Sequence, residues 1–458
     1  MNYRIERFAG LNQSTDEHQI DGRYAPEARN VDIRDGNLCV SSGYQPYTAS
    51  HLPGGIGSLA VYYQRTSTGL RVRLVAVNAA GVYEWAGNQW VVRHSGAGEA
   101  AASALNYQYN GEDILLLADG VRGVLQWDGG NIMTPLPGAP AKFSQLALHY
   151  ERIWGSGIAD EPDSVYWSRA FEPNDWSGDP SNPDAAGGVV NIPTFNGGRV
   201  IALRTLFNDV LVFKDDDLYR VVGTYPGNYE VVRVHGIVGP IAPKTIVNAG
   251  DLCYFLSKDG LCAYNGISAK PLNDRRAKRF FERINPAAAM NACAAVHRDV
   301  LYLAAPMGAS TRNDGVLEMD LTTGGCMERD GIPAQYFLSL QDKLLFAGDD
   351  GLIYQYGVGT TRNGAPIIAW WRTPWIDLNH PSREKYVESV SMFASGMMRL
   401  GFETDRGEIE RTYNLGTTER PVRLRLNGHG KRFRLTINNV AGSRFQIRGG
   451  LDITLDDL

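Results

Sequence analysis

Asp251-Leu252-Cys253-Tyr254-Phe255-Leu256-Ser257-Lys258-Asp259-Gly260-Leu261-Cys262-Ala263-Tyr264-Asn265-Gly266 is the stretch on which the fold turns. A short apolar run breaks at Asp259-Gly260 and resumes as a second run that ends on an aromatic before Asn265-Gly266. Asp-Gly between apolar runs is a tight-turn signal, so two paired strands are predicted. Placing Leu256 opposite Leu261 puts Cys253 opposite Tyr264, not Cys262. The same grammar recurs outward in both directions. Arg71-Val72-Arg73-Leu74-Val75-Ala76-Val77 turns into Val82-Tyr83-Glu84-Trp85, and Asp113-Ile114-Leu115-Leu116-Leu117-Ala118 turns at Asp119-Gly120 into Val124-Leu125-Gln126-Trp127. Asp209-Val210-Leu211-Val212-Phe213, Asp299-Val300-Leu301-Tyr302-Leu303 and Lys343-Leu344-Leu345-Phe346-Ala347 continue the series. The spacing is irregular but roughly 40 residues, the length of a propeller blade, and it yields about 6–7 units. One four-stranded blade cannot bury both faces alone, and radial packing of blades solves that while leaving only short edges.

Composition agrees. The chain has 458 residues, 43% hydrophobic and 21% charged, with 51 glycines and 10% aromatics. This is the balance of an ordinary globular protein, and many glycines with many aromatics fit an all-β chain with numerous turns. No run of about eighteen apolar residues occurs, so no membrane-spanning helix and no stable membrane insertion are expected. The net charge of -5 argues against global coating of nucleic acid. The N-terminal run Met1-Asn2-Tyr3-Arg4-Ile5-Glu6-Arg7 has no apolar core, so no secretory signal is expected. Five cysteines without a C-x-x-C spacing read as buried thiols made in a reducing cytoplasm.

Three parts are expected. Residues 1–57 form an extended arm, with a hairpin at 30–40 turning on Asp35-Gly36. Residues 58–362 form an irregular β-propeller. Residues 363–458 form a smaller all-β, sandwich-like domain with strands at 386–394, 398–404, 420–426, 431–437 and 444–455. The segment 164–193, with Trp167, Trp176 and several prolines, reads as a long irregular blade loop of the kind that carries contacts. Helix is scarce, and 274–284 is the best candidate.

Chemistry is sparse. No P-loop, G-x-G-x-x-G, H-E-x-x-H or G-x-S-x-G motif is present. No catalytic residue, cofactor site or metal site is therefore assigned. The S-x-x-K at Ser382-Arg383-Glu384-Lys385 precedes a strand and lacks its partner motifs. The acidic turn Lys214-Asp215-Asp216-Asp217 lacks the grammar of a calcium loop and reads as solvated turn acids. One electrostatic feature stands out. Residues 420–451 contain no acid but eight basic side chains. Within them Arg423 and Arg425 alternate with Val422, Leu424 and Leu426, while Arg432 and Arg434 alternate with Phe433, Leu435 and Ile437. Period two, with a turn at Asn427-Gly428-His429-Gly430, predicts one hairpin with Arg423, Arg425, Arg432 and Arg434 on a single face. That face is either solvated surface, a docking face for an acidic partner, or a phosphate contact. Trp370, Trp371 and Trp375 read as core or an inter-domain hinge, with a sugar-stacking site as the alternative.

Three stretches together resemble the propeller-bearing tail nozzle family of short-tailed bacteriophages, also called packaged-DNA stabilisation proteins. They are Gly10-Leu11-Asn12, Ala28-Arg29-Asn30-Val31-Asp32-Ile33-Arg34-Asp35-Gly36 and Ser42-Gly43-Tyr44 in the arm; the blades without WD or kelch signatures; and Trp375-Ile376-Asp377-Leu378 with Pro381-Ser382 and Lys385 at the exit from the propeller. The resemblance implies a non-enzymatic virion protein of the tail, assembled in the host cytoplasm as a ring, typically sixfold, below the portal and adaptor. Its implied partners are further copies of itself and tail proteins on the adaptor/portal side and the spike or fibre side. Genomic DNA would be retained and then conducted through the channel without sequence-specific binding. Two other readings stand beside it: a glycan-binding or glycan-cleaving propeller using Trp167 or Trp176, and a scaffold propeller for protein partners.

Overall fold

Each repeated unit folds because its buried runs are β-branched and aromatic, and its turns are Gly/Asp pairs. The computed structural model describes residues 2–14, 16–140, 142–194, 198–235, 239–272 and 275–457. Among these it contains seven four-stranded antiparallel sheets and one ten-stranded sheet. The seven are the blades of a β-propeller: blade 1 at 58–95, blade 2 at 103–135, blade 3 at 145–191, blade 4 at 200–234, blade 5 at 247–271, blade 6 at 293–330 and blade 7 at 336–356. In blade 5 the register places Leu256 opposite Leu261 and Cys253 opposite Tyr264, as the turn at Asp259-Gly260 dictates. All five cysteines are reduced.

The faces between consecutive blades form a run of separate apolar clusters. Tyr62 and Trp127 meet between blades 1 and 2, Trp154, Trp167 and Tyr229 between blades 3 and 4, and Phe213 and Phe255 between blades 4 and 5. A buried tryptophan such as Trp154 contributes about 3–5 kcal/mol by the cost of its truncation. Around the axis, polar side chains tie inner strands to their neighbours at four blade junctions. Asn106 donates to the Val61 carbonyl, Ser103 Oγ accepts from the Leu146 N–H, Asn248 donates to the Thr205 carbonyl, and His297 Nδ1 lies 2.9 Å from Ser339 Oγ.

Blade 7 has only three strands of its own. Its fourth is Tyr44–Pro46, with Tyr44 opposite Tyr356 and Pro46 opposite Tyr354. The proline sits on the sheet's outer edge, where its missing N–H costs no ladder bond. The hairpin at Val31–Arg34 and Asn37–Val40 forms with both Asp35 (φ 50) and Gly36 (φ 78) in the left-handed region, the turn that suits strand twist.

The ten-stranded sheet contains the strands after residue 369 together with four from residues 2–40. Its organiser is the strand Lys385–Thr404, which bends at Gly396 (φ +92) so that one strand serves two layers. Its first half pairs with Arg420–Gly430 on one side and Phe445–Asp457 on the other. Its second half pairs with Gly407–Asn414 and Phe433–Asn439. Asn2–Ile5 and Asn37–Val40 extend the first layer through Phe445–Asp457, while Trp370–Arg372 and Glu27–Arg29 extend the second. The two layers enclose Trp371, Val390, Leu400, Phe402, Ile437 and Ile453, and this core is continuous with the interface of blades 5 and 6.

Two expectations change here. The strands expected at 386–394 and 398–404 are one bent strand. The arginine hairpin does not exist: Arg420–Gly430 and Phe433–Asn439 pair with opposite halves of that strand, and no ladder joins them among the described residues. The period-two reading of each strand survives, because Leu424, Leu426, Phe433, Leu435 and Ile437 are buried. The helical segment is short, a 3-10 turn at Arg275–Ala277 followed by Lys278–Glu282; Asp274 lies outside the described residues. No helix is long and apolar enough to cross a membrane among the described residues.

Candidate functional site: the arm clasp and the arginine strands

Asn30 is fully buried with φ 57, a conformation asparagine tolerates better than other residues with a Cβ. Its side chain makes four hydrogen bonds. The amide donates to Asp330 Oδ1 (2.7 Å) and to the Ile368 carbonyl (2.7 Å), and Oδ1 accepts from the Asp330 backbone N–H (3.1 Å) and from Arg362 (2.5 Å). One residue thus joins the arm, the outer strand of blade 6 and the segment leaving the propeller. Beside it Arg329 is buried, donating to the Val31 carbonyl and pairing with Asp32 (2.5 Å) and Glu318 (2.5 Å). Burial opposes the charge on Arg329, but Glu318 and Asp32 more than offset it and hold the guanidinium protonated. Tyr356 donates its hydroxyl to Glu318 at 2.5 Å, and burial, followed by that carboxylate, raises it well above the usual phenol range.

The clasp continues outward. Arg29 pairs with Glu328 (3.2 Å) and Asp330 (3.4 Å), Arg283 with Glu328 (2.5 Å), and Arg362 with Asp330 (3.0 Å). Asp330 is partly desolvated, which favours its neutral form. The hydrogen bonds from Asn30 and Arg362 nevertheless hold it below the usual carboxylate range. Gly10 and Gly43 complete the docking by close approach: a Cβ on Gly10 would lie 2.6 Å from the Cys326 carbonyl oxygen, and one on Gly43 1.8 Å from that of Thr361. The sequence signal for this clasp was the arm motif itself, Gly10-Leu11-Asn12, Asn30-Val31-Asp32 and Ser42-Gly43-Tyr44. What it grips, Glu318, Glu328, Arg329 and Asp330, carries no sequence signal of its own, since no local motif marks which distant strand the arm will meet.

The four arginines separate into two pairs. Arg423 bonds to Ser389 Oγ (2.8 Å) and pairs with Glu388 (2.9 Å). Arg425, on the same strand, is exposed and has no carboxylate within ion-pair distance among the described residues; its backbone carbonyl accepts from Arg411. Arg432 and Arg434 lie 4.6 and 4.5 Å from the ring of Trp375. Arg434 also pairs with Glu403 (2.6 Å) and lies 3.9 Å from Glu17, and Arg432 reaches His18. Two of the four arginines therefore hold the chain's own N-terminal segment.

The aromatic candidates are covered. Trp167 and Trp176 are 8% and 9% exposed, one against Trp154 and Tyr229, the other against Phe143. The long loop that carries Trp176 is held at both ends by Arg152, whose guanidinium donates to the carbonyls of Ser168, Asp184, Ala185 and Ala186. Trp371 is fully buried against Phe8, and Trp370 lies under Arg29 and Arg372. In the acidic turn, Asp217 pairs with Arg233 (2.6 Å) and Asp216 with Lys258 (3.4 Å). Lys385 is buried and donates to the carbonyls of His380, Arg383 and Lys431, which makes it a loop clamp. No group of three or more His, Cys, Asp or Glu able to hold a metal occurs among the described residues.

No protein-family model and no curated protein matches the chain. Solved structures similar to it include the computationally designed Ika8 protein, at 12% identity and a TM-score of 0.42, covering 69% of this chain and 100% of that one. The Pan2 WD40 domain of Neurospora crassa is similar at 10% identity and a TM-score of 0.41, covering 74% of this chain and 97% of that one. The extracellular domain of BT4673 from B. thetaiotaomicron is similar at 10% identity and a TM-score of 0.47, covering 89% of this chain and 63% of that one. The chain is an all-β, seven-bladed β-propeller with an additional ten-stranded β domain.

Proposed function

We propose that this protein is a structural component of a short-tailed phage tail, of the nozzle or hub type, that assembles as a ring and retains and then conducts packaged DNA. The observation that supports this most is the arm clasp. The arm motifs that resemble the nozzle family, Gly10, Asn30-Val31-Asp32 and Gly43, are the residues that lock arm, propeller and terminal β domain together. They carry load between parts and present no reacting group. A subunit locked in this way suits a ring, where each copy must hold a fixed geometry toward its neighbours. In this reading the propeller is no enzyme and takes no cofactor; its partners are further copies and adjoining tail proteins. The glycan reading loses its platform, since neither Trp167 nor Trp176 is exposed.

The arginine strands narrow the docking proposal. Arg425 and, five residues earlier on the same strand, Arg420 are exposed cations, one on each side of the pleat, and they are the residues offered to acidic neighbours. Arg432 and Arg434 serve the chain's own fold. The test is the mass of the purified protein by light scattering, alone and with a portal–adaptor complex. A ring, or a monomer recruited into one, supports the reading. A strict monomer that joins no particle and is retained on a glycan column overturns it. Within a ring, Arg420→Glu with Arg425→Glu should abolish incorporation while leaving the monomer folded.

A further inference from the structure

The innermost strands of all seven blades enclose a cavity of about 680 Å³ on the propeller axis. That lies within the range of small-molecule sites, about 300–1,000 Å³. Its wall is mostly Ala, Leu, Val and Ser. Two charged side chains line it, Arg204 and Lys244, and no carboxylate does. Arg73, Arg93, Arg122 and Arg329 elsewhere lie against carboxylates, whereas Arg152 and Lys385, like the two cavity cations, are held by carbonyls but do not line this cavity.

The two cations are held in place by the backbone. Arg204, on the inner strand of blade 4, donates from Nε to the Ile246 carbonyl (3.2 Å) and from Nη1 to the Leu203 carbonyl (2.7 Å). Lys244, two residues before Ile246, donates from Nζ to the Gln335 carbonyl (3.3 Å). Gln335 precedes Tyr336, which lines the same cavity from blade 7. Carbonyls fix these groups without neutralising them, and each keeps N–H donors unspent. Neither has an ion-pair partner among the described residues. Two like charges facing one half-enclosed cavity raise its potential, and the surrounding protein of low dielectric focuses that field. Burial, slightly opposed by Arg204, raises the Tyr336 hydroxyl, so it stays a neutral O–H group at pH 7. A pre-positioned guanidinium, ammonium and phenol match an oxyanion, where charge-assisted hydrogen bonds are strongest.

We propose that the axial cavity of the propeller binds a small oxyanion of the phosphate or carboxylate class, held by Arg204 and Lys244 with Tyr336 beside them. The inference is independent of the tail reading, since it concerns the axis of one propeller and not a ring of several.

The probes are inorganic phosphate and citrate, titrated against the full chain at constant ionic strength set with sodium chloride, with the melting temperature as readout. Binding predicts an upward shift that saturates with either probe and is lost in the Arg204→Gln, Lys244→Gln double variant. Arg425→Gln, on the outer surface, should keep it. General exclusion of these salts from the protein surface raises stability without saturation and acts on both proteins alike. A second measurement needs no variant: the rate at which an amine-acylating reagent modifies Lys244 in the wild type, followed by mass spectrometry. Phosphate or citrate should slow Lys244 and leave exposed Lys258 unaffected. Equal, unsaturated shifts in both proteins, or unchanged Lys244 acylation with both probes, overturn the proposal.

Discussion

Asn30 and Asp330, 300 residues apart, are joined by two reciprocal hydrogen bonds, the Asn30 amide giving one to the Asp330 carboxylate at 2.7 Å and the Asp330 backbone N–H returning one to Asn30 Oδ1 at 3.1 Å. The pair sits where the arm crosses blade 6. Asn30→Ala takes a hydrogen-bond partner from half-exposed Asp330, from largely buried Arg362 and from the Ile368 carbonyl, and forces a left-handed conformation on alanine. The expected loss is about 2–4 kcal/mol, read from urea denaturation. Asn30→Gly relieves the backbone but not the missing hydrogen bonds, so it should recover only part of that loss. Full recovery by glycine would make the backbone, and not the clasp, the reason for asparagine here.

Ring closure depends on a close approach at Gly43. With a Cβ at this position only 1.8 Å from the Thr361 carbonyl oxygen, Gly43→Ala must displace backbone. Tyr44 next to it packs edge-on against Phe346 and Tyr354, both at 5.1 Å. The variant should lower the melting temperature and raise amide hydrogen exchange in Ile353–Tyr356, the strand that loses its neighbour, while blade 3 keeps its protection.

Stability should form a dome in pH. Burial depresses His149 and His297 below the ordinary histidine value. A depressed group contributes stability that is complete above its unfolded pKa, near about 6.5, and is lost as pH falls through the folded value. Asp330 is also depressed, so its contribution disappears below about pH 4. On the alkaline side the sign reverses. Burial pushes the Cys253 thiol up to about 12 and the Cys293 thiol up to about 11. Their contribution is complete below about pH 8.5 and is lost as pH rises toward those values. Melting temperatures across this range check both limbs, and His149→Gln should flatten the first part of the acid limb.

The same burial governs thiol chemistry. Cys253, Cys262, Cys293 and Cys326 are buried, whereas Cys39 is half-buried at the outer hairpin. In native protein at pH 7.5 an alkylating reagent should modify Cys39 first and the other four only at the rate of unfolding. Early modification of Cys253 would show that blades 4 and 5 separate readily.

Much of the propeller was legible because its signals are local. Asp259-Gly260 sets the turn, and the turn sets Leu256 against Leu261 and Cys253 against Tyr264, whatever surrounds the hairpin. Asp35-Gly36 does the same for the arm hairpin. Alternation in Arg420–Gly430 and Phe433–Asn439 correctly told which side chains are buried, because a strand's two faces follow from its own pleat.

Sequence by itself determined where the central strands and turns of the blades lie and which face of each strand is apolar. Tertiary structure decided which strand each edge meets. A strand edge presents the same N–H and C=O groups to any partner, so nothing local marks Tyr44–Pro46 as the missing strand of blade 7. Nor does anything local say that Arg420–Gly430 and Phe433–Asn439 take opposite halves of one bent strand. That choice turned an expected four-arginine face into two separate pairs, one of them spent on Trp375 and Glu17. Likewise the axial cavity gathers Arg204, Lys244 and Tyr336 from three parts of the ring, and only its closure brings them to one wall.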